Sequence, residues 1–219
     1  MKNTILAFAL CALVFSCKNK DKNNSIGSGD SSSTATTTSS AEKKTTDSAG
    51  KSAAFDLDKI PVSDKALGKF PYLVPPANYK YGMGDEGIKP TDIREPDREY
   101  FAVQGKLRME EGKTFKKSIE KDRSKDDSRF NSLTVEKSYV DQIVALGGVE
   151  VNTTVVPGEE LKRIGDSELV DKHYGYSIDY NILENMKTYV IKTKDKVIWI
   201  QFTLMNEESG KITVLERPI

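Results

Sequence analysis

Cysteine and histidine are scarce in this sequence. Of its 219 residues, two are cysteine and one is histidine, namely Cys11, Cys17 and His173. Disulfide scaffolds need several cysteines, and a zinc site needs about three or four nitrogen, sulfur or oxygen ligands. Cys11 lies in an N-terminal apolar run with the character of a cleaved leader, which leaves Cys17 as the one thiol of the mature chain. The sequence therefore predicts no disulfide, no metal and no cofactor.

Net charge is lacking as well. The 33 basic and 33 acidic side chains give a formal net charge of zero, so there is no basic excess of the kind that binds nucleic acid. Beyond Cys17, no apolar run exceeds the length of a strand, whereas a membrane-spanning helix takes roughly twenty apolar residues. We therefore expect no nucleic-acid partner and no transmembrane helix in the mature chain.

Patterns that indicate catalysis are few. The single histidine, His173, lies in a polar stretch, and no G-x-S-x-G elbow is present to supply the serine of a triad. The segment Gly82–Gly87 matches G-x-G-x-x-G, but Pro90 falls where a nucleotide-binding helix would run, which favours a plain glycine loop. A glycosidase pair of carboxylates stays open, because distances between acids are not readable from sequence. We expect a protein that is not an enzyme, with carboxylate-based hydrolysis as an alternative.

The N-terminus has the layout of a secretory signal. Lys2 supplies a positive charge, Ile5–Phe15 forms an apolar run of about eleven residues, and the small Ser16 precedes Cys17. The apolar run is too short to span a membrane. The last four residues, Val14–Cys17, resemble the lipobox of bacterial lipoproteins, with valine in place of the usual leucine. The resemblance implies cleavage before Cys17 and attachment of palmitate-type acyl chains to it.

Acylation would fix the protein to a membrane. Each buried acyl methylene contributes about 0.8 kcal/mol, and two or more chains hold a protein stably where one does not. The resemblance implies a lipid anchor in the outer membrane of the cell envelope, on either its periplasmic or its outer face. Three regions follow: a signal peptide at 1–16, the lipidated cysteine with its tether at 17–54, and a folded domain at 55–219.

The tether is composed of small polar and charged residues. From Lys18 to Ala54 it contains almost no large apolar side chain, so it cannot bury enough surface to offset the entropy of ordering. A flexible coil of this length would span roughly 30–35 Å. The segment Asp47–Ala49 is similar to the O-glycosylation acceptor pattern of Bacteroidetes envelope proteins, which makes Ser48 a candidate glycosylation site.

The folded region predicts a single α+β domain with a mainly antiparallel sheet. Asn131 or Ser132 is a ready N-cap and Gly147-Gly148 supplies a C-cap, which indicates one main helix over about 132–146 that packs on the sheet. The side chains expected along its apolar stripe are Leu133, Tyr139, Val140, Ile143, Val144 and Leu146. The charged run at 122–129 is expected to be an exposed loop.

Strand patterns dominate the rest of the domain. Period-two alternation over 98–109 predicts a strand with Phe101 and Val103 on one face. The last third predicts a meander of strands, and the four apolar side chains expected on one face of its central strand are Ile198, Ile200, Phe202 and Leu204. Val197 and Trp199 lie on the opposite face. There Trp199 either covers a second layer or belongs to a contact patch, and burial is the favoured interpretation.

A family resemblance extends across the folded region. It rests on the order and spacing of the segments IPVSDKALGKFPYLVPPANYKY, REYFAVQGKL, YGYSIDY and VIWIQFTLMNEESGKITVLE, with a helix ending in LGGVEV among them. Together they resemble the domain that precedes the peptidoglycan-binding module in OmpA-family outer-membrane proteins. The module's Asp and Arg grip peptidoglycan in that family, and this sequence stops at Ile219 without them. The resemblance therefore implies an envelope domain, and we expect no peptidoglycan-binding module.

Tyrosines concentrate near predicted loops, where aromatic faces stack on glycans or fill a partner's pocket. The alternative is that they line the rims of small sheets and are half buried. The candidate contact residues are Tyr72, Tyr79, Tyr81, Tyr174, Tyr176, Tyr180 and Trp199. The sequence thus predicts a lipid-anchored envelope protein that acts as a structural or interaction module with an envelope protein partner. A receptor that binds a glycan or peptide through its tyrosine-rich loops is the alternative.

Overall fold

The residues that the computed structural model describes are 55–82, 87–180, 186–205 and 207–219. The predicted signal peptide, the lipidation site Cys17 and the candidate glycosylation site Ser48 lie outside the described residues, as does part of the Gly82–Gly87 motif. Among the helices that are described, none has both the length and the apolar character needed to cross a bilayer.

Antiparallel strands form one seven-stranded sheet in the described part of the chain. The elements are β1 (Tyr79–Tyr81), β2 (Ile93–Val103), β3 (Lys106–Lys121), α1 (Ser132–Ala145), β4 (Val149–Asn152), α2 (Gly158–Ile164), β5 (Met186–Lys192), β6 (Lys196–Met205) and β7 (Ser209–Pro218). The strand order is β1-β3-β7-β6-β5-β4, and β2 pairs with the first part of β3. The predicted α+β class, with its antiparallel sheet and C-terminal meander, is confirmed.

The hairpin of β2 and β3 folds over one face of the sheet. At its tip, the Gln104 N–H donates to the Val151 carbonyl of β4 (3.2 Å), and the Gly105 N–H donates to the Asn152 side chain (3.0 Å). Gly105 has a φ of +77°, and a Cβ there would lie 3.2 Å from the Val155 carbonyl, so the contact favours glycine. The first hairpin of the sheet therefore covers the sheet itself.

Strand β6 forms the centre of the core. Residues 197–204 are all buried, which requires cover on both faces of the sheet. One face packs against α1 through the four predicted side chains, Ile198, Ile200, Phe202 and Leu204. On the other face, Val197 and Trp199 lie beneath the hairpin, where the ring centres of Trp199 and Phe101 are 5.4 Å apart. The predicted alternation is confirmed, and so is the burial of Trp199.

Helix α1 covers the first of these faces. It spans Ser132–Ala145, in agreement with the prediction, and the Asn131 side chain caps it by accepting a hydrogen bond from the Thr134 N–H (2.9 Å). Its buried residues are Val135, Tyr139 and Ile143. The predicted stripe was wrong at its flanks, because Leu133 and Val144 are 73% and 59% exposed. The buried residues are spaced four apart along the helix, and Leu133 and Val144 lie beside that row.

The charged run after β3 is mostly exposed, as expected, but Asp122 is buried. Asp122 is 3% exposed and accepts a hydrogen bond from the Ser124 hydroxyl (2.6 Å). The Lys125 ammonium lies 2.9 Å from the same carboxylate. The expectation of an exposed loop was therefore wrong at Asp122, because neighbouring side chains of the loop satisfy a buried carboxylate.

We expect Ile143→Ala to lower the free energy of unfolding by about 2–5 kcal/mol, because it leaves a cavity under α1. Leu133→Ala, on the same helix, should change that free energy by less than about 0.5 kcal/mol, since Leu133 is 73% exposed. Urea denaturation followed by circular dichroism measures both variants. Losses of equal size would contradict the assigned buried face of the helix.

Candidate functional site

The structure separates the predicted contact residues into three places. Those along the proline-rich segment before β2 are Tyr72, Tyr79 and Tyr81. Those in the segment between α2 and β5 are Tyr174, Tyr176 and Tyr180. Trp199 is fully buried in the core and presents no surface to a ligand. The tyrosines therefore belong to two different surfaces.

The first surface is a groove along the proline-rich segment, which we call the strap groove. The residues that form most of it are 67–75, 79–81 and 87–93. It consists of two cavities of about 540 and about 350 Å³. Val74 and Ile88 line both cavities, and their side chains are 63% and 40% exposed. Exposed apolar surface in a concave site is typical of ligand and partner contacts.

Tyr72 stands in the wall of the larger cavity in a strained backbone conformation. Its φ is +73°, which bulky residues rarely adopt. Its N–H donates to the Lys69 carbonyl (2.8 Å), and its hydroxyl donates to the Glu216 carboxylate of β7. The Lys113 ammonium lies 2.6 Å from Glu216 and 4.7 Å from the centre of the Phe70 ring. The wall is thus fixed to the sheet, and strain of this kind concentrates at functional sites.

Tyr79 and Tyr81 line the smaller cavity but are mostly buried. Their rings meet Phe130 and Phe115 edge to face, with centres 5.3 and 5.0 Å apart. The Tyr79 hydroxyl accepts a hydrogen bond from the Asn131 N–H (3.0 Å). Burial raises the pKa of Tyr81, so its hydroxyl stays protonated. These two tyrosines shape the floor of the groove and offer little open ring surface.

The second surface is the segment 173–180, which we call the tyrosine segment. Its first tyrosine is held in place by cations, because Arg98 and Lys116 each lie 5.5 Å from the centre of the Tyr174 ring. Its other two tyrosines, Tyr176 and Tyr180, line a separate cavity of about 390 Å³, which we call the tyrosine cavity. The remaining side chains that line it are Leu169, Val170, His173, Ile178, Asp179 and Lys211.

A buried carboxylate fastens the tyrosine segment to the hairpin. Glu99 of β2 has no exposed surface. Its Oε1 accepts a hydrogen bond from the Tyr100 N–H (2.8 Å), and its Oε2 accepts one from the Tyr176 N–H (3.3 Å). The Lys116 Nζ of β3 lies 3.3 Å from Oε2 and donates to the His173 carbonyl (3.3 Å). Glu99 and Lys116 together tie the segment to both strands of the hairpin.

Burial dominates the electrostatics of Glu99. Loss of hydration raises its pKa to about 8, and the attraction of Lys116 and the backbone hydrogen bonds offset only part of that effect. Asp97 lies 3.1 Å from the same ammonium. Burial also raises the pKa of Asp97, but the Thr114 hydroxyl, the Arg98 N–H and Lys116 outweigh it, so the pKa ends below its ordinary value. Lys116 therefore lies beside two acidic side chains whose pKa values are shifted in opposite directions.

The residues considered for catalysis and metal binding do not converge. Within the described residues, no group of three or more His, Cys, Asp or Glu side chains is arranged to hold a metal ion. His173 is exposed in a turn, with a φ of +58°. The strand before the Gly82–Gly87 motif, β1, has three residues and pairs antiparallel with β3. A dinucleotide site would follow a buried parallel strand.

Sequence analysis missed the buried carboxylate, although a signal for it was present. The same alternation that places Phe101 and Val103 on the core face also places Glu99 there. A charged residue on a predicted core face indicates a buried partner. That partner, Lys116, is brought opposite Glu99 by the folding of the hairpin over the sheet, which local patterns do not predict.

Comparison with known proteins gives no relative: no protein-family model, no curated protein and no solved structure matches this chain. The assignment of function therefore rests on the residues and geometry of the chain itself.

We expect the stability of the protein to fall as pH rises from 4.5, the ordinary pKa of a glutamate, to about 8, the pKa of buried Glu99. Below this range the carboxyl is protonated in the folded and the unfolded chain alike. Within it only the folded chain keeps the proton, so each pH unit lowers the unfolding free energy by up to about 1.4 kcal/mol. Urea denaturation at a series of pH values across the range measures this slope.

Glu99→Gln is the matched control, because the amide keeps the shape of the side chain and cannot ionise. The variant should show a flatter dependence of stability on pH than the wild type over the same range. Parallel profiles for the two proteins would show that Glu99 does not hold the proton.

Proposed function

We propose that this chain is a lipid-anchored cell-envelope protein whose folded domain is an interaction module that binds an extended apolar segment of a partner protein. Cys17 is the proposed anchor, and the strap groove is the proposed contact surface. The observation that carries the contact surface is the exposure of Val74 and Ile88, which link two cavities into one apolar track.

The chemistry of the strap groove favours a peptide over a glycan. The apolar and aromatic residues of the larger cavity are Leu67, Phe70, Pro71, Tyr72, Leu73, Val74, Ile88, Pro90 and Ile93. A glycan needs many hydrogen-bonding groups, and the Tyr72 hydroxyl is already engaged with Glu216. Two cavities in series suit the side chains of an extended peptide that point to the same side.

The groove is also organised before a partner arrives. Gln142 of α1 binds both backbone groups of Val74: its Oε1 accepts from the Val74 N–H (3.0 Å), and its Nε2 donates to the Val74 carbonyl (2.9 Å). Val74 is thereby held with its side chain exposed. A contact residue that is fixed in advance loses less conformational freedom on binding, which favours affinity.

The proposed location rests on the sequence. The lipobox-like residues Val14–Cys17 support acylation, and the polar tether supports a domain held away from the bilayer. The resemblance of the folded region to the domain that precedes the peptidoglycan-binding module of OmpA-family proteins supports the outer membrane of a bacterial envelope. Both faces of that membrane are compatible with these features.

Cys17→Ala should release the protein from the membrane fraction, because the variant lacks the thiol that carries the acyl chains. Cell fractionation with immunoblotting measures the share of protein in the membrane pellet. Cys11→Ala is the matched control, since Cys11 lies in the segment removed before maturation, and this variant should stay in the pellet. A Cys17→Ala protein that remains in the pellet after a salt wash would contradict the proposed anchor.

A photo-reactive amino acid placed at position 74 or 88 should yield a discrete protein adduct in intact cells, because both positions border the proposed partner. Immunoblotting and mass spectrometry identify the adduct and the cross-linked peptide. The peptide should be an extended segment with apolar side chains.

Position 133 supplies the control for this experiment. Leu133 is 73% exposed and apolar, but it lies on α1 outside the groove. The same photo-reactive group at position 133 should give no such adduct. Identical adducts from positions 74 and 133 would show that the strap groove is not the contact surface.

A further inference from the structure

A row of polar side chains crosses the sheet beneath the tyrosine segment. The residues of this row pair in register across β5, β6, β7 and β3 and therefore point to one side: Thr188, Gln201, Thr213 and Lys116. The next pair on the same side is Thr203 with Lys211. The buried face of a sheet is normally lined by apolar side chains, and these polar side chains are an exception.

The tyrosine segment supplies partners for most of this polar surface. The Gln201 Nε2 donates to the Ser177 hydroxyl (2.9 Å), and the Thr203 hydroxyl donates to the Ser177 carbonyl (2.6 Å). The Thr213 hydroxyl is buried and has no hydrogen-bond partner among the described residues. An unpartnered buried hydroxyl lowers stability. Within the described part of the chain, this face therefore keeps a buried hydroxyl without a partner.

The tyrosine cavity adjoins this polar face through Lys211. Among the described residues, the Lys211 ammonium forms no ion pair or side-chain hydrogen bond. Tyr180 is 41% exposed, and Tyr176 is half buried. Burial raises the pKa of Tyr176 to about 12, so its hydroxyl remains a hydrogen-bond donor. His173 and Asp179 complete the polar lining.

We propose that the tyrosine cavity binds a saccharide that carries an acidic group, either a carboxylate or a phosphate. The rings of Tyr176 and Tyr180 offer apolar faces to the sugar ring, and the Lys211 ammonium binds the acid. The cavity volume of about 390 Å³ falls within the range typical of small-molecule sites.

Of the described residues, one cation, Lys211, and one acid, Asp179, line the cavity, so the preference for an anion rests on direct contact with the Lys211 ammonium. A hydrogen bond between the ammonium and an anionic oxygen adds the attraction of opposite charges, so a sugar without an acid gains less from Lys211. The cavity shares no lining residue with the strap groove. The proposal is therefore independent of the proposed peptide contact.

The test is isothermal titration calorimetry of the full chain with glucuronate, glucose 6-phosphate and glucose. We expect one or both acids to bind at least about tenfold more tightly than glucose. Lys211→Met, which keeps an unbranched side chain, should lower the affinity for the acid about tenfold and leave the affinity for glucose unchanged. Tyr180→Ala should lower the affinity for every sugar that the wild type binds. Thermal unfolding confirms that each variant is folded.

The possible results distinguish a carboxylate from a phosphate, and they distinguish the tyrosine cavity from the strap groove. Tighter binding of glucuronate alone assigns a carboxylate, and tighter binding of glucose 6-phosphate alone assigns a phosphate. Equal affinity for glucose and the acids, an unchanged acid affinity in Lys211→Met, or no heat with any acid at millimolar concentration would overturn the proposal. Val74→Asp, in the strap groove, should bind the acid as the wild type does, so failure here is distinct from failure of the peptide contact.

Discussion

The burial of strand β6 on both faces of the sheet is the constraint on which the rest of the structure depends. An antiparallel sheet commonly keeps one face in water, yet residues 197–204 are buried on both. Helix α1 covers one face through a row of apolar contacts. The opposite face has no second long helix in the described residues to cover it, and the sheet instead folds its own first hairpin across, with Gly105 allowing the tip to reach β4. The tyrosine segment covers the part of this face that the hairpin leaves open.

These two covers differ in chemistry. The hairpin packs on Trp199 through apolar side chains, which is an ordinary core. The tyrosine segment packs on Gln201 and on the Glu99–Lys116 pair, and burying such groups carries a dehydration cost that apolar contacts do not. Directional hydrogen bonds thus help to set the position of the segment, together with the apolar contacts of Tyr174 and Ile178. A cavity built from such a segment has a defined shape and polar groups near its mouth, as a specific ligand site requires.

Local sequence patterns predicted the helices and strands of this fold better than the contacts between them. Alternation along β6 and the caps of α1 depend on neighbours in sequence, and both were confirmed. The prediction was wrong at the flanks of α1 because the helix buries only a narrow row of residues spaced four apart, which leaves Leu133 outside. The tyrosines looked like one group in the sequence, but the sheet places the strap groove and the tyrosine segment on different surfaces. The partner of Glu99 depends on the folding of a hairpin, a long-range event that periodicity does not encode.

The point where the chain enters the domain bears on how anchoring and binding combine. Phe55, the first described residue, has its ring centre 5.8 Å from that of Trp199, and the Arg108 guanidinium lies 5.5 Å from both rings. The domain is thus held at its start by the apolar core. Neither Phe55 nor Trp199 lines the strap groove or the tyrosine cavity. A tether that pulls on Phe55 acts on a residue in contact with a fully buried ring that lines neither cavity. The proposed anchor and the two proposed sites can therefore operate at the same time.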